Sequence, residues 1–213
     1  MLRFSVRSAP RADAVSITDV IPPLIALAMV AVTSDAMADS SSIDVWLTSD
    51  RDQQNLGEPQ STQFEVSASH TFDTGVILGA SAQYSNKAFS DSATANLEAT
   101  VGYRLRFNDF LSVIGSVGIG DRLQVSGDGS DIAYYVLRAA ADLKLSEKVT
   151  WNAVAFRYRD AFESSDDYLT PQLATGVTFK VDDHNSISSK IQYNWKDWHP
   201  DTVGFALGYS RSF

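Results

Sequence analysis

Cysteine is absent from the 213-residue chain, which excludes disulfides, thiolate nucleophiles and cysteine-ligated zinc or iron–sulfur sites. Histidine occurs only three times, as His70, His184 and His199, so catalysis built on an imidazole has few places to sit. Long apolar runs are also scarce. The one candidate, Val20 to Val32, covers 13 residues and contains Pro22 and Pro23, too short and too broken for a membrane-spanning helix of about 20 apolar residues. Positive charge is in deficit, with 17 Lys and Arg against 26 Asp and Glu and a net charge of −9. That balance argues against a nucleic-acid partner bound through phosphate neutralisation. With 44% hydrophobic and 20% charged residues, the composition is that of a folded or membrane-embedded chain rather than a disordered one, and one domain is expected.

What is present begins with an amino-terminal segment unlike the rest. Arg3, Arg7 and Arg11 precede the short apolar run, and Ala36-Met37-Ala38 follows it. A basic stretch, an apolar stretch and a small-residue site are the three parts of a secretory signal peptide, which predicts cleavage after Ala38 and a mature domain over 39–213. The leader holds three Arg and three Asp, so its removal leaves the acidity unchanged.

Beyond residue 38 the pattern alternates with a period of two, the mark of strands with one apolar face. Val203, Phe205, Leu207, Tyr209 and Phe213 share one parity, with Arg211 as the exception. Thr202, Gly204, Ala206, Gly208, Ser210 and Ser212 share the other. Residues 93–108 repeat the alternation. Ten strands are predicted, over 43–49, 62–72, 75–86, 92–107, 110–123, 131–145, 148–160, 169–181, 185–197 and 202–213. Eight or twelve are the alternatives. Short connectors at Asp73-Thr74, Asn108-Asp109, Ser146-Glu147 and Asp182-Asp183-His184 alternate with generally longer ones near 50–61, 87–91, 124–130, 161–168 and 198–201. Turns at one end and looser loops at the other suit an all-β, antiparallel up-and-down barrel, because closure removes exposed edges. The strand at 148–160 changes parity between Trp151 and Val154, which predicts a bulge near Asn152.

Alternation leaves open whether the apolar face lines a soluble interior or meets lipid. Two aromatic groups favour lipid: Phe72, Phe107, Phe110, Trp151, Phe179 and Phe213 near the short turns, and Phe64, Tyr84, Phe89, Tyr158, Phe162, Tyr168, Trp195 and Trp198 toward the loops. They match the interfacial girdles of transmembrane barrels. The ending from Phe205 to Phe213 resembles the carboxy-terminal insertion signal of small Gram-negative outer-membrane β-barrels, with Phe205, Leu207, Tyr209 and Phe213 at alternate positions. Arg211 stands where that family has an apolar residue. The resemblance covers residues 43–213 as architecture. It implies a transmembrane barrel with periplasmic termini, contact with outer-membrane lipid and lipopolysaccharide, and insertion by the barrel-assembly machinery. A soluble periplasmic barrel or sandwich is the alternative.

With the apolar face outside, the inward set includes Arg104, Arg106, Arg122, Arg138, Lys144, Arg157, Arg159, Lys180, Lys190 and Lys196, against Asp44, Glu65, Glu98 and Asp142. An acidic protein would thus hold a cationic lumen, its surplus of carboxylates lying in loops and turns. A cationic lumen favours small anionic solutes. The competing expectation is a plug, since a barrel of about ten strands is near the size that side chains fill. In that case Arg104 and Arg106 would pair with Glu98, Glu65 and Asp142. Asp50 and Asp52 in the first loop and Asp197-Trp198-His199 in the last could meet at the rim, where outer-membrane proteases resembling omptins carry a His and carboxylates. Strands this short could hardly build such a cleft, and the chain is read as non-enzymatic. His70 has no nucleophile in view and is read as interfacial. The acidic loop residues Asp128, Asp131, Glu163, Asp166 and Asp167 do not have EF-hand spacing. Neither a cofactor nor a metal is expected. Loop-mediated adhesion is the alternative role, and the short loops weaken it.

Overall fold

The computed structural model describes residues 40–166 and 168–213. The expected leader and the expected cleavage after Ala38 lie outside the described residues. Ten strands run β1 (Ser40–Asp52), β2 (Pro59–Thr71), β3 (Val76–Lys87), β4 (Ala93–Arg106), β5 (Leu111–Ser126), β6 (Ile132–Lys144), β7 (Val149–Ala161), β8 (Gln172–Lys180), β9 (Asn185–Lys196) and β10 (His199–Ser212). Each pairs antiparallel with its sequence neighbour, and β1 pairs with β10 from Ser42↔Ser212 to Asp52↔Thr202, closing the barrel. This is the expected up-and-down meander, with ten strands.

Turn chemistry written in the sequence closes the end that carries the termini. In three of its four turns a side-chain oxygen accepts backbone N–H groups two and three residues on, as Asx and Ser turns do. Asn108 Oδ1 takes Phe110 N and Leu111 N at 2.9 and 2.8 Å. Ser146 Oγ takes Lys148 N and Val149 N at 3.3 and 3.1 Å. Asp182 Oδ1 takes His184 N and Asn185 N, both at 2.8 Å. The fourth turn uses Gly75, whose φ of +89° suits only glycine and where a Cβ would lie 2.8 Å from the Arg104 carbonyl.

The Asp182 turn makes a prediction about pH. Hydrogen bonds from the Asn185 side chain and from backbone N–H groups hold the Asp182 carboxyl below its ordinary range. A carboxyl depressed in the folded state stabilises the turn above its unfolded pKa, and that contribution is lost as pH falls through the folded value. The Asp182 side-chain carboxyl resonance should therefore titrate only as pH drops below the ordinary carboxylate range. A carboxyl that titrates at or above that range would contradict the assignment.

At the other end the last connector differs from expectation. The β9–β10 link is not a loop over 198–201 but a two-residue turn, Asp197-Trp198, with φ of 49° and 62°. Positive φ at both central residues gives the twist that lets adjacent strands close directly. The bulge predicted near Asn152 is present: Asp142 pairs with Asn152 and Ala141 with Val154, leaving Ala153 extra. Trp151, Val154 and Phe156 consequently all face outward.

The two faces of the wall settle the choice between water and lipid. Ile119, Leu207 and Leu47 are 62%, 65% and 55% exposed on the outer surface, whereas Asp50, Gln83, Asn96, Glu98, Arg159 and Gln192 are buried inside. An apolar band outside and a polar interior is the arrangement of a membrane barrel, not of a soluble one. Two carboxylates depart from the expectation that acidic residues stay in loops. Asp121 shares the parity of Ile119 on the outer wall, and Asp160 shares that of Phe156 on β7, where it accepts the Tyr135 and Tyr158 hydroxyls, each at 3.1 Å.

Candidate functional site in the barrel lumen

The strand registers place all ten expected cations on the inward parity. They do not form one uniform lining. Glu98 on β4 is the centre of the interior: Arg138 of β6 and Arg159 of β7 both pair with its carboxylate, and the Tyr134 hydroxyl donates to Oε1 at 2.9 Å. Tyr134 reaches Glu98 by crossing over β5, and Gly120 permits the crossing. The register sets Glu98 opposite Gly120 and Gly120 opposite Tyr134, and a Cβ on Gly120 would stand 2.7 Å from the tyrosine ring. Trp46 likewise lies over Gly208 of β10.

The expected pairing of Arg104 and Arg106 with Glu98 is corrected. Arg104 lies six residues along the same strand, about 20 Å away at the rise of an extended chain, while Arg138 and Arg159 face Glu98 from other strands. Among the described residues, Arg104, Arg106, Arg122, Arg157 and Lys190 form no ion pair. The Nε atoms of Arg104 and Arg157 are buried without a hydrogen-bond partner.

Asp50 is also corrected. It is not a rim residue but an inward residue of β1, only 2% exposed. Its carboxylate accepts from Ser61 Oγ at 2.7 Å, Gln192 Nε2 at 3.5 Å, Asn194 Nδ2 at 3.2 Å, and from Gln63. From there an amide chain continues, Gln83 Nε2 to Gln63 at 2.6 Å and Asn96 Nδ2 to Gln83 at 3.1 Å. Asn96 in turn accepts the Tyr168 hydroxyl at 3.0 Å. Tyr168 is therefore no girdle residue. The β7–β8 loop carries it into the lumen, where it is 7% exposed and packs against Tyr134 at 5.0 Å. No signal of period or spacing marks that inward turn. Asp50 is committed to the interior, which removes it from the rim group considered from the sequence, while His199 is exposed. At the opposite end Ser41 Oγ lies 2.9 Å from His70 Nδ1, a cross-strand contact that the sequence reading had missed.

The lumen holds two large chambers and a smaller cavity of about 170 Å³ beside Glu65 and Arg138. A cavity of about 470 Å³ opens at the loop end, with Arg122, Arg157, Arg159 and Tyr168 in its lining. A second of about 530 Å³ lies toward the termini, with Arg104, Asp142, Asp44 and Lys190 in its lining. Lys190 Nζ sits 4.2 Å over the Trp46 ring. The layer of Glu98, Arg138 and Tyr134 lies between the chambers. Tyr209 and Phe213 face outward near the termini, and the Arg211 guanidinium rests on the Phe213 ring at 5.5 Å.

A family model for the outer membrane protein beta-barrel domain matches residues 24–213. The chain belongs to this family. Among solved structures, the beta domain of the Bordetella autotransporter Brka is similar with a TM-score of 0.53 at 10% identity, covering 81% of this chain and 98% of that one. The KdgM porin matches at a TM-score of 0.45 and 12% identity, covering 81% of this chain and 99% of that one. Ail of Yersinia pestis matches at 0.39 and 14%, covering 83% of this chain and 100% of that one. No curated protein matches the chain by sequence. These similarities concern the fold. Family membership together with the apolar outer wall locates this barrel in the outer membrane.

Proposed function

We propose that the protein is a surface barrel whose lumen gives small anions a narrow, charge-selected path. The observation that supports this reading is a set of inward cations without carboxylate partners on both sides of the Glu98 layer. Arg122 and Arg157 line the chamber at the loop end, Lys190 and Arg104 the one toward the termini. Glu98 spends its charge on Arg138 and Arg159, and the other inward carboxylates, Asp44, Asp50, Glu65 and Asp142, are fewer than the remaining inward cations, so a positive excess is left to the chambers. In walls of low dielectric constant such a potential is focused along the axis. In this reading lipid and lipopolysaccharide cover the outer wall, and the barrel-assembly machinery reads the end marked by Phe205, Leu207, Tyr209 and Phe213. No catalytic step is assigned. The β1–β2, β3–β4 and β5–β6 loops span only residues 53–58, 88–92 and 127–131, and the longer β7–β8 loop, 162–171, sends Tyr168 into the lumen, which gives adhesion little surface.

Conductance of the refolded domain in a planar bilayer under a salt gradient tests the path. The reversal potential should show anion preference, and Arg104→Ala combined with Arg106→Ala should move it toward zero. A folded barrel that passes no current would overturn the path and leave a plugged surface barrel.

A further inference from the structure

We propose that the loop-end chamber is an oxyanion-binding site, with Arg157 and Arg122 as its charged donors and Tyr168 as its cover. The proposal deepens the anion-path reading and rests on it for its biological use.

Arg157 carries the argument. It lies on the inner wall between Arg138 and Gln172 in register, and it lines the chamber. Its Nε is buried with no acceptor, and it forms no ion pair among the described residues. A guanidinium offers five N–H donors in a planar fork and cannot shed its charge. Burying one of those N–H groups without an acceptor is costly, and an anion in the chamber would offer the charge partner that the wall does not place on Arg157. Glu98 is already shared by Arg138 and Arg159, and Asp50 and Asp201, which also line the chamber, form no ion pair with Arg157.

Arg122, from β5, adds a second cation to the same chamber. Its guanidinium lies 5.4 Å from the Tyr168 ring centroid, an aromatic contact that orients the charge without neutralising it. The Tyr168 hydroxyl is tied to Asn96, so its ring is held against Arg122. Two unneutralised forks facing a cavity of about 470 Å³ suit a ligand with two or more oxygens sharing negative charge. Carboxylate and phosphate both have that chemistry, and both accept from arginine in bidentate fashion.

Calorimetry on the detergent-refolded barrel tests the site independently of conduction, using inorganic phosphate and acetate as separate probes with chloride as the background anion. Binding of at least one probe is expected in the wild type. Arg157→Gln should weaken it by about tenfold or more, and Arg122→Gln, a milder change farther from the Glu98 layer, should weaken it less. Heat-modifiable gel mobility reports whether each variant is folded. Should Arg157→Gln fail to fold, Arg122→Gln alone carries the test. Phosphate-only binding assigns the site to phosphate-bearing solutes, and acetate-only binding to carboxylates. Absence of binding by either probe, or binding unchanged in the folded variants, overturns the proposal. An anion-selective current without oxyanion binding would overturn this site and leave the path intact, whereas oxyanion binding in a barrel without current would do the reverse.

Discussion

Glu98→Gln is expected to destabilise the barrel by about 3–5 kcal/mol, the usual consequence of removing one partner from a buried ion pair. The Glu98 side chain is 1% exposed, and that of Arg159 is 5% exposed. Without the carboxylate, Arg159 would be left buried beside Arg157 and Arg138, with no anion between three guanidinium groups. Arg138→Gln should cost less, because the Arg138 side chain is 31% exposed and its partner keeps Arg159. The combined variant Glu98→Gln with Arg159→Gln should recover part of the loss, since it removes both charges together. Denaturant unfolding in lipid vesicles reads all three. If conduction occurs, the same Glu98→Gln substitution should raise anion selectivity, because it removes the one acidic group of the dividing layer. An unchanged unfolding midpoint would show that Glu98 does not hold the interior together.

The barrel itself was legible because its physics is local. Alternation over Ala93 to Asn108 and over Val203 to Phe213 is set by the pleat of each strand. Asn108, Ser146 and Asp182 announce their turns because their side chains bond backbone groups two or three residues away. Even the irregularity near Asn152 was readable, since a bulge is what restores parity between Trp151 and Val154. Glu98 was a different case. Its inward direction followed from parity, but its partners Arg138 and Arg159 are distant in sequence, and only barrel closure and the small Gly120 bring Tyr134 to it. Asp50 was misplaced because β1 extends to Asp52, beyond the point where alternation fades. Tyr168 was misplaced because an aromatic residue beside a loop looks the same whether the loop turns outward to the membrane interface or inward to the lumen. Its hydrogen bond to Asn96 and its contact with Arg122 decide the direction, and both partners lie on other strands. The fold was thus written in short-range pattern, and the site in long-range pairing that no single strand carries.

A charge placed on the outer wall should cost in proportion to its depth. Val117 is 52% exposed and stands near the middle of β5, between Val101 of β4 and Leu137 of β6. Val117→Arg is expected to lower stability by about 2–4 kcal/mol, the cost of an arginine at the bilayer midplane. Leu105, 51% exposed, lies next to the β4–β5 turn, where headgroups and water solvate the charge. Leu105→Arg should cost only about 0–1 kcal/mol. The two positions have nearly equal exposure, so a wall facing water would tolerate both substitutions alike. Equilibrium unfolding in phospholipid vesicles separates the cases. A steep difference between Val117→Arg and Leu105→Arg is the signature of hydrocarbon against β5, and equal small losses would mean that this face meets water instead.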